Sequence, residues 1–495
     1  MTDGTISSQD ADDFDMDGDL LHEECGVFGV FGHDDASALT ALGMHALQHR
    51  GQEAAGVVSY DGERFHAERR IGLVGDGFSK QATIKRLPGR SALGHVRYST
   101  TGDMILRNVQ PMFAELATGG LAICHNGNIT NGLALRRQII ADGAICHSTS
   151  DTEVVLQLAA RSRKPRIVER FIDALRQLEG AFSLVAMTNK KMIGVRDPLG
   201  IRPLVLGELN GSYIFASEAC ALDIIGAKFV REVENGEVVV ITEDGVESLH
   251  PFPKLRERMC IFEYVYFSRP DSIVAGRSVY DVRKRMGGEL ATEMPAEVDV
   301  VIPVPDSGVP AAIGYAQKSG VPFELGIIRN HYVGRTFIEP TQQIRALGVK
   351  LKHNANRSVI EGKRIVLIDD SIVRGTTSVK IVQMMRDAGA REVHLRVASP
   401  PITHPDFYGI DTPDKRSLLA ATHTLEEMRE FIGVDSLAFL SIEGLYRAVG
   451  EEERDAVRPQ FTDHCFTGEY PTALTDMDGV SEHDPRQLSL LAEAG

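Results

Sequence analysis

Apolar residues along this chain change their spacing twice, and each change marks a boundary. The first 24 residues, MTDGTISSQDADDFDMDGDLLHEE, are acidic and offer almost nothing to bury. Such a segment does not offset its own ordering entropy and is expected to carry no fold. From Cys25 the pattern tightens. CGVFGVFG reads as a short, glycine-spaced strand. ASALTALGMHALQHRG reads as a helix, with Leu39, Leu42, Met44 and Leu47 on or near its apolar face and Gly51 as its stop. Strand-like runs follow at GVVSYDGERFHAE, ALGHVRYST, LAICHNGNI, FSLVAMTNKKMIGVRD and PLVLGELNGSYIFASE. Two of them carry hairpin dipeptides, Asp61-Gly62 and Asn210-Gly211. Helical stretches near 151–162 and 166–178 interrupt the strands. Many strands joined as hairpins, with helices inserted, predict an antiparallel sandwich of sheets carrying helices.

Over residues 248–258 (SLHPFPKLRER) prolines and charges break the pattern, which marks a linker. Beyond it the rhythm becomes strand, loop, helix. VDVVIPV leads through PDSG into PAAIGYAQKSG, and RIVLIDD leads through SIVRGTTS into VKIVQMMRDAG. The apolar runs are nearly continuous, as expected when both faces of a parallel sheet are covered. This second half is α/β. Two domains are expected, at 25–255 and 256–470, with a polar tail over 471–495; no fold is assigned from about Arg458 onward.

A length of 495 residues suits two large domains. A formal net charge of −16 argues against a nucleic-acid binder, which needs clustered Lys and Arg, and leaves room for local basic loops that meet a small polyphosphate. The six cysteines are scattered too widely for a disulfide framework or a paired zinc signature. No apolar run approaches the roughly 20 residues that span a bilayer, and the first two dozen residues lack the basic-then-apolar order expected of a secretory signal. A reducing, cytoplasmic setting is the expectation.

The strongest motif runs from Val366 to Ser378. An apolar strand delivers Asp369 and Asp370 at its carboxyl end, where open α/β sheets bind ligands. A loop with Ser371, Arg374 and Gly375 then opens a helix at Thr376, Thr377 and Ser378. Backbone N–H groups and hydroxyls at that helix start suit a phosphate monoester, and the carboxylates suit ribose hydroxyls and Mg²⁺. The alternative is an acidic strand end followed by a hydroxyl helix cap. The order of apolar strand, paired Asp, glycine and three hydroxyls favours the ligand.

This stretch resembles the signature of the type I phosphoribosyltransferases. The resemblance implies that Asp369 and Asp370 hold the ribose 2- and 3-hydroxyls while Ser371 to Ser378 wrap the 5-phosphate of phosphoribosyl pyrophosphate (PRPP). It also implies that Asp306, Ser307 and Gly308, in the loop after VDVVIPV, meet the pyrophosphate and that Ser307, Asp369 and Asp370 hold the Mg²⁺. The segment from Arg329 through Tyr332 to Arg335 resembles the family's mobile loop, which closes over the substrate.

Cys25 stands where the acidic segment gives way to fold. Alone it reads as a small buried hydrophobe. Three further segments accompany it: Arg97 in GHVRYST, Asn126-Gly127 in CHNGNI, and Asp151 in STSDTE. In order, these resemble the type II (N-terminal nucleophile) glutamine amidotransferases, and the set makes chemical sense. An acyl-transfer site needs a nucleophile, a base, an oxyanion hole and substrate anchors. The resemblance implies Cys25 as nucleophile, Asn126 and Gly127 as oxyanion donors, Arg97 on glutamine's α-carboxylate and Asp151 on its α-ammonium. A free Cys25 amine, titrating near 7.7–8.0, would be the base, so residues 1–24 are expected to be a propeptide cut at Glu24–Cys25.

The fold expected is thus α/β and α+β: an N-terminal α-β-β-α sandwich of the N-terminal nucleophile hydrolase type, followed by a type I phosphoribosyltransferase parallel-sheet domain. Together the two families imply a glycosyltransferase that takes ammonia from glutamine and forms 5-phosphoribosylamine from PRPP, opening de novo purine (IMP) synthesis. They also imply purine nucleotides such as AMP and GMP as feedback inhibitors, and a homo-oligomer, dimer or tetramer. Some relatives carry a [4Fe–4S] cluster on four cysteines. Here Cys260 and Cys465 occupy two of those positions while Asp406 and Thr462 occupy the others, so no complete cluster site is expected. The competing readings are another type II amidotransferase and a non-catalytic PRPP-binding regulator.

Overall fold

The structure, a computed structural model, describes residues 25–98, 105–329, 353–410, 412 and 414–477. Among these, the first half is two stacked antiparallel sheets. The strands are β1 (Gly26–Phe31), β2 (Ala54–Tyr60), β3 (Phe65–Ile71), β4 (Ser91–Arg97), β5 (Met112–Leu116), β6 (Gly119–Ile129) and β7 (Gly180–Thr188). They continue as β8 (Met192–Arg196), β9 (Val205–Leu209), β10 (Ser212–Ala216), β11 (Lys228–Glu232), β12 (Val238–Thr242) and β13 (Gly245–Leu249). One sheet has the order β11-β9-β10-β1-β4-β2-β3 and the other β13-β12-β8-β7-β6-β5.

Period-two alternation assigns the layers. Val27 of β1 joins Ala122, Cys124, Val185 and Met187 between the sheets. Phe28 and Val30 face the opposite way, toward α1 (Ala36–Ala46). Leu121, Ile123, Leu184 and Ala186 pack on α3 (Asp151–Arg161) and α4 (Ile167–Leu175); α2 (Gly132–Ala141) adds Ile139 to this layer. The result is the expected α-β-β-α sandwich. Asn210 and Gly211 both take positive φ (51° and 85°), the backbone a tight two-residue hairpin requires.

One expectation fails within α1: Leu42 is 50 % exposed. The buried stripe runs instead through Ala36, Ser37, Thr40, Ala41 and Met44, with Gly43 beside it. A Cβ on Gly43 would fall 2.3 Å from the Phe28 ring, so small residues let the helix lie close on the sheet. A count of leucines does not see a stripe made of Ala, Ser, Thr and Gly.

The second half holds a parallel sheet of β14 (Val300–Pro303), β15 (Arg364–Asp369), β16 (Glu392–Val397) and β17 (Ser436–Phe439), neighbours in that order. Val301, Val366 and Ile368 face a core shared with α5 (Val279–Glu293) and α6 (Val309–Ser319). Val300, Ile302, Ile365 and Leu367 face the other core, which includes Ile381, Val382 and Met385 of α7 (Thr376–Asp387). Both faces are covered, which explains the unbroken apolar runs.

The halves are joined by a continuous core. Ala181 and Ile201 of the sandwich pack in one cluster with Tyr264, Ile402 and Tyr408. Arg50, 1 % exposed, pairs with Glu218 at 2.7 Å and with Glu263 at 2.8 Å across this seam. Residues 458–477, given no fold from sequence, close the molecule. Phe461, Thr462, His464 and Cys465 are buried, and the stretch to Met477 returns to the sandwich. There the Asp476 carboxylate accepts the Leu133 and Ala134 N–H groups at 2.7 and 2.9 Å, capping α2. The polar tail expected from 471 is therefore anchored as far as 477. Asp476 acts there as a helix cap, which hydrophobic spacing cannot reveal.

Candidate active sites

The first site forms where β1 begins. Gly26 pairs with Val96, so Cys25 and Arg97 are the next residues outward on adjacent strands. The Cys25 thiol donates to the Tyr98 carbonyl at 3.5 Å, and Arg50 Nε donates to the Cys25 carbonyl at 3.4 Å. Burial pushes the thiol up to about 11, against the Tyr98 contact and the nearby Arg97 cation; Asp151 lies close enough to raise it further. Near neutral pH the group is a thiol, and a nucleophilic role requires a base beside it.

Asn126 and Gly127 sit on β6 opposite Ser183 and Phe182 of β7. Asn126 is fully buried, yet neither atom of its carboxamide has a hydrogen-bond partner among the described residues. Buried amides are nearly always paired, which makes this one a candidate to meet a ligand. Gly127 has φ +132°, and a Cβ there would fall 2.2 Å from the Ala181 carbonyl oxygen. Only glycine fits. Asp151 starts α3, accepts the Ile129 N–H at 3.1 Å and lies 3.5 Å from His125 Nδ1. Burial opposes its charge, but His125 and the backbone donors hold its carboxyl below the usual range. Cys25, Arg97, Asn126, Gly127 and Asp151, spread over 127 positions of sequence, thus converge at one end of the sandwich.

The second site lies at the carboxyl edge of the parallel sheet. Asp369 ends β15, and Asp369 and Asp370 are both buried. Ser307 Oγ donates to Asp370 Oδ1 at 3.1 Å, which links the two loops the sequence singled out. Asp370 Oδ2 is buried with no hydrogen-bond partner among the described residues. Arg329 pairs with Asp306, whose peptide with Pro305 is cis. Gly308 lies so close to the end of β15 that a Cβ would fall 2.4 Å from the Ile368 carbonyl oxygen. The helix cap is Gly375, in the left-handed region at φ +81°, rather than a threonine, so no side chain covers the start of α7. Ser371 and exposed Arg374 line the loop before it, and Thr376, Thr377 and buried Ser378 form the first turn. Tyr332 and the rest of the loop expected to close lie outside the described residues.

Sequence reasoning missed two neighbours of Cys25, Arg50 and Tyr98, and the histidine near Arg97, His95. Arg50 ends a helical stretch and reads there as a solvated cation. His95 is fully buried in β4, 3.1 Å from the His125 carbonyl oxygen.

The chain matches the glutamine amidotransferase domain over residues 95–223 and the phosphoribosyl transferase domain over residues 271–400. It is 67% identical over 486 residues to the amidophosphoribosyltransferase of Rhizobium etli, covering 97% of this chain and 98% of that one. The chain belongs to the amidophosphoribosyltransferase family. The Bacillus subtilis amidophosphoribosyltransferase is 48% identical, over 92% of this chain and 95% of its own. The solved B. subtilis glutamine PRPP amidotransferase, complexed with ADP and GMP, superposes with a TM-score of 0.86 over 91% of this chain and 98% of that chain, at 46% identity. Membership makes this an enzyme, a glycosyltransferase of purine biosynthesis with a glutamine amidotransferase half.

The residues at the iron–sulfur positions do not fit a four-cysteine cluster. Thr462 Oγ1 donates to the Arg258 carbonyl at 2.6 Å. Asp406 Oδ1 accepts the Tyr408 and Ile410 N–H groups at 2.6 and 2.8 Å, and its Oδ2 lies 2.6 Å from His464 Nε2 and 3.8 Å from Arg202. Asp406, His464 and Cys465 do form a buried group of potential metal donors. Loop N–H groups occupy one oxygen of the Asp406 carboxylate, and the His464 imidazole and Arg202 guanidinium lie against the other. Among the described residues no helix is long and apolar enough to cross a membrane.

Proposed function

We propose that Cys25 is the nucleophile that takes ammonia from glutamine and that the Asp369–Ser378 loop, with Asp306–Gly308, Arg329 and Tyr332, receives PRPP. The observation that carries this reading is the fully buried carboxamide of Asn126, which has no hydrogen-bond partner among the described residues. The carbon–sulfur bond forms as the Cys25 proton passes to its own α-amine, and the amide π pair moves onto oxygen between Asn126 Nδ2 and the Gly127 N–H. Ammonia leaves with that proton, and water frees glutamate from the thioester. Arg97 and Asp151 anchor the α-carboxylate and α-ammonium of the substrate. Ammonia then reaches C1 of PRPP within the packed seam and displaces pyrophosphate, giving 5-phosphoribosylamine. A closed route keeps it unprotonated.

Ser307, Asp369 and Asp370 would hold a Mg²⁺, since the orphaned Asp370 Oδ2 suits a hard cation. Charge neutralisation on the leaving pyrophosphate is what such an ion supplies there. A free Cys25 amine requires that residues 1–24 be removed as a propeptide. The domains are proposed at 25–255 and 256–470, in a homo-oligomeric cytoplasmic enzyme. Purine nucleotides, AMP and GMP, are proposed as inhibitors, in keeping with the ADP and GMP of the B. subtilis complex. The test supplies glutamine, PRPP and Mg²⁺ and follows glutamate and pyrophosphate together, with intact mass on the same sample. Equimolar release from a chain beginning at Cys25 is expected. Active protein retaining Met1, or glutamate without pyrophosphate, overturns the corresponding half.

A further inference from the structure

The loop Asp406–Ile410 belongs to the second half of the chain but ends against the first site. Gly409 has φ +118° and lies directly on Gly127: a Cβ at 409 would fall 3.0 Å from the Gly127 Cα, 3.1 Å from its carbonyl carbon and 3.3 Å from its oxygen. Two glycines thus meet backbone to backbone across the seam, a closeness no side chain permits. The rest of the loop is pinned. Asn128 Nδ2 donates to the Phe407 carbonyl at 2.9 Å, and Arg202 Nε donates to the Tyr408 carbonyl at 3.0 Å. From beneath, the Asp406 carboxylate ties together the Tyr408 and Ile410 N–H groups, and His464 pairs with Asp406. Tyr408 is fully buried, its ring edge-on to His464.

We propose that Gly409, fixed by Asp406, is a positioning residue of the glutamine site, holding the Gly127 Cα and carbonyl, and through them its N–H, from the far side of the domain seam. This rests on the reading of Gly127 as an oxyanion donor. On one side the β6–β7 ladder packs against Gly127, where even a Cβ would strike the Ala181 carbonyl; on the other Gly409 abuts it. An oxyanion donor is useful only if it is aimed before charge develops, and sub-ångström displacement is costly. The sandwich alone would then hold the substrate anchors but an unaimed donor, and docking of the second half would complete the hole. The Asp406 carboxylate, at a position where some relatives place a cluster cysteine, is what stiffens the loop here.

Gly409→Ala tests this in the full-length, processed enzyme. The expected result is a fall of about tenfold or more in kcat for glutamine hydrolysis with KM nearly constant, since one oxyanion donor is worth about 10²–10³ in kcat. Synthesis from PRPP and added ammonium should be unchanged. Glutamate γ-semialdehyde, whose adduct with the thiol places an oxyanion in the same hole, should bind more weakly by the same factor. Iodoacetamide, which needs no oxyanion donor, should alkylate Cys25 at the normal rate. Asn128→Ala, which releases the Phe407 carbonyl without adding bulk, should shift the same readouts the same way by about threefold, and it serves if Gly409→Ala fails to fold. A Gly409→Ala kcat within twofold of the parent overturns the proposal, as does a parallel loss of ammonium-dependent synthesis in both variants. Asn126→Ala, run alongside, separates the layers. If it too leaves glutamine hydrolysis intact, the oxyanion reading itself has failed; if it slows hydrolysis and Gly409→Ala does not, only the positioning role is lost.

Discussion

The two sites are built on opposite plans. The proposed glutamine site is assembled from strand ends and a helix start scattered from Cys25 to Asp151, with Arg97 and Asn126 buried and Cys25, Gly127 and Asp151 half-buried. The proposed phosphoribosyl site is carried mainly by one continuous stretch, Asp369–Ser378, at the carboxyl edge of a parallel sheet. A small amino acid offers few handles, so its site must gather several isolated side chains around one thiol. A sugar diphosphate is large and highly charged, and one loop of N–H groups, hydroxyls and carboxylates reaches most of it. The difference predicts that the halves fail separately.

The sharpest break is at the proposed nucleophile. Cys25→Ala should lose glutamine-dependent synthesis by about 10⁴-fold or more while keeping synthesis from added ammonium. Loss of both activities from folded protein would mean that the sites are not separable. Next comes Asp370→Asn, which should lower glutamine- and ammonium-dependent synthesis equally, by about 10- to 100-fold, because a charged hydrogen-bonding group is worth about 1.5–3 kcal/mol. An effect on the glutamine reaction alone would remove Asp370 from the PRPP site. Smaller again, Arg97→Lys should raise the KM for glutamine about tenfold with kcat for the ammonium reaction untouched, since an ammonium cannot reproduce a forked contact to a carboxylate.

The same contrast governs what could be read in advance. The phosphoribosyl loop was legible because its chemistry is contiguous: strand, paired Asp, glycine and hydroxyls stand in one line. The residues proposed for glutamine stand out only as a family pattern, since Arg97 or Asp151 alone is an ordinary ion-pair or cap residue. Nothing in the sequence shows that Arg50 is buried between Glu218 and Glu263, partners 168 and 213 positions away. Residues 458–477 were opaque for a related reason. Their contribution is Asp476 capping a distant helix and Asp463 accepting from Tyr446, contacts without periodicity. The α1 stripe misled through Leu42, because close helix–sheet packing selects small residues over large ones.

His95 makes the smallest of these effects measurable, and it divides the sites once more, by pH. Burial, aided by the Arg97 and His125 charges, pushes its imidazole down to about 3, so the folded chain keeps it neutral. An unfolded histidine titrates near 6.5. Between those values the unfolded state binds a proton that the folded state refuses, so stability is complete above about pH 6.5 and declines as the pH falls toward 3. His95→Gln keeps a donor for the His125 carbonyl and abolishes the titration. Between pH 7 and pH 5.5 the parent should lose about 1 kcal/mol more stability than the variant. Urea midpoints of the sandwich at the two pH values read this difference. Parallel shifts in the two proteins would show that His95 takes up its proton while folded, and the buried wall behind Arg97 would then have to be open to water.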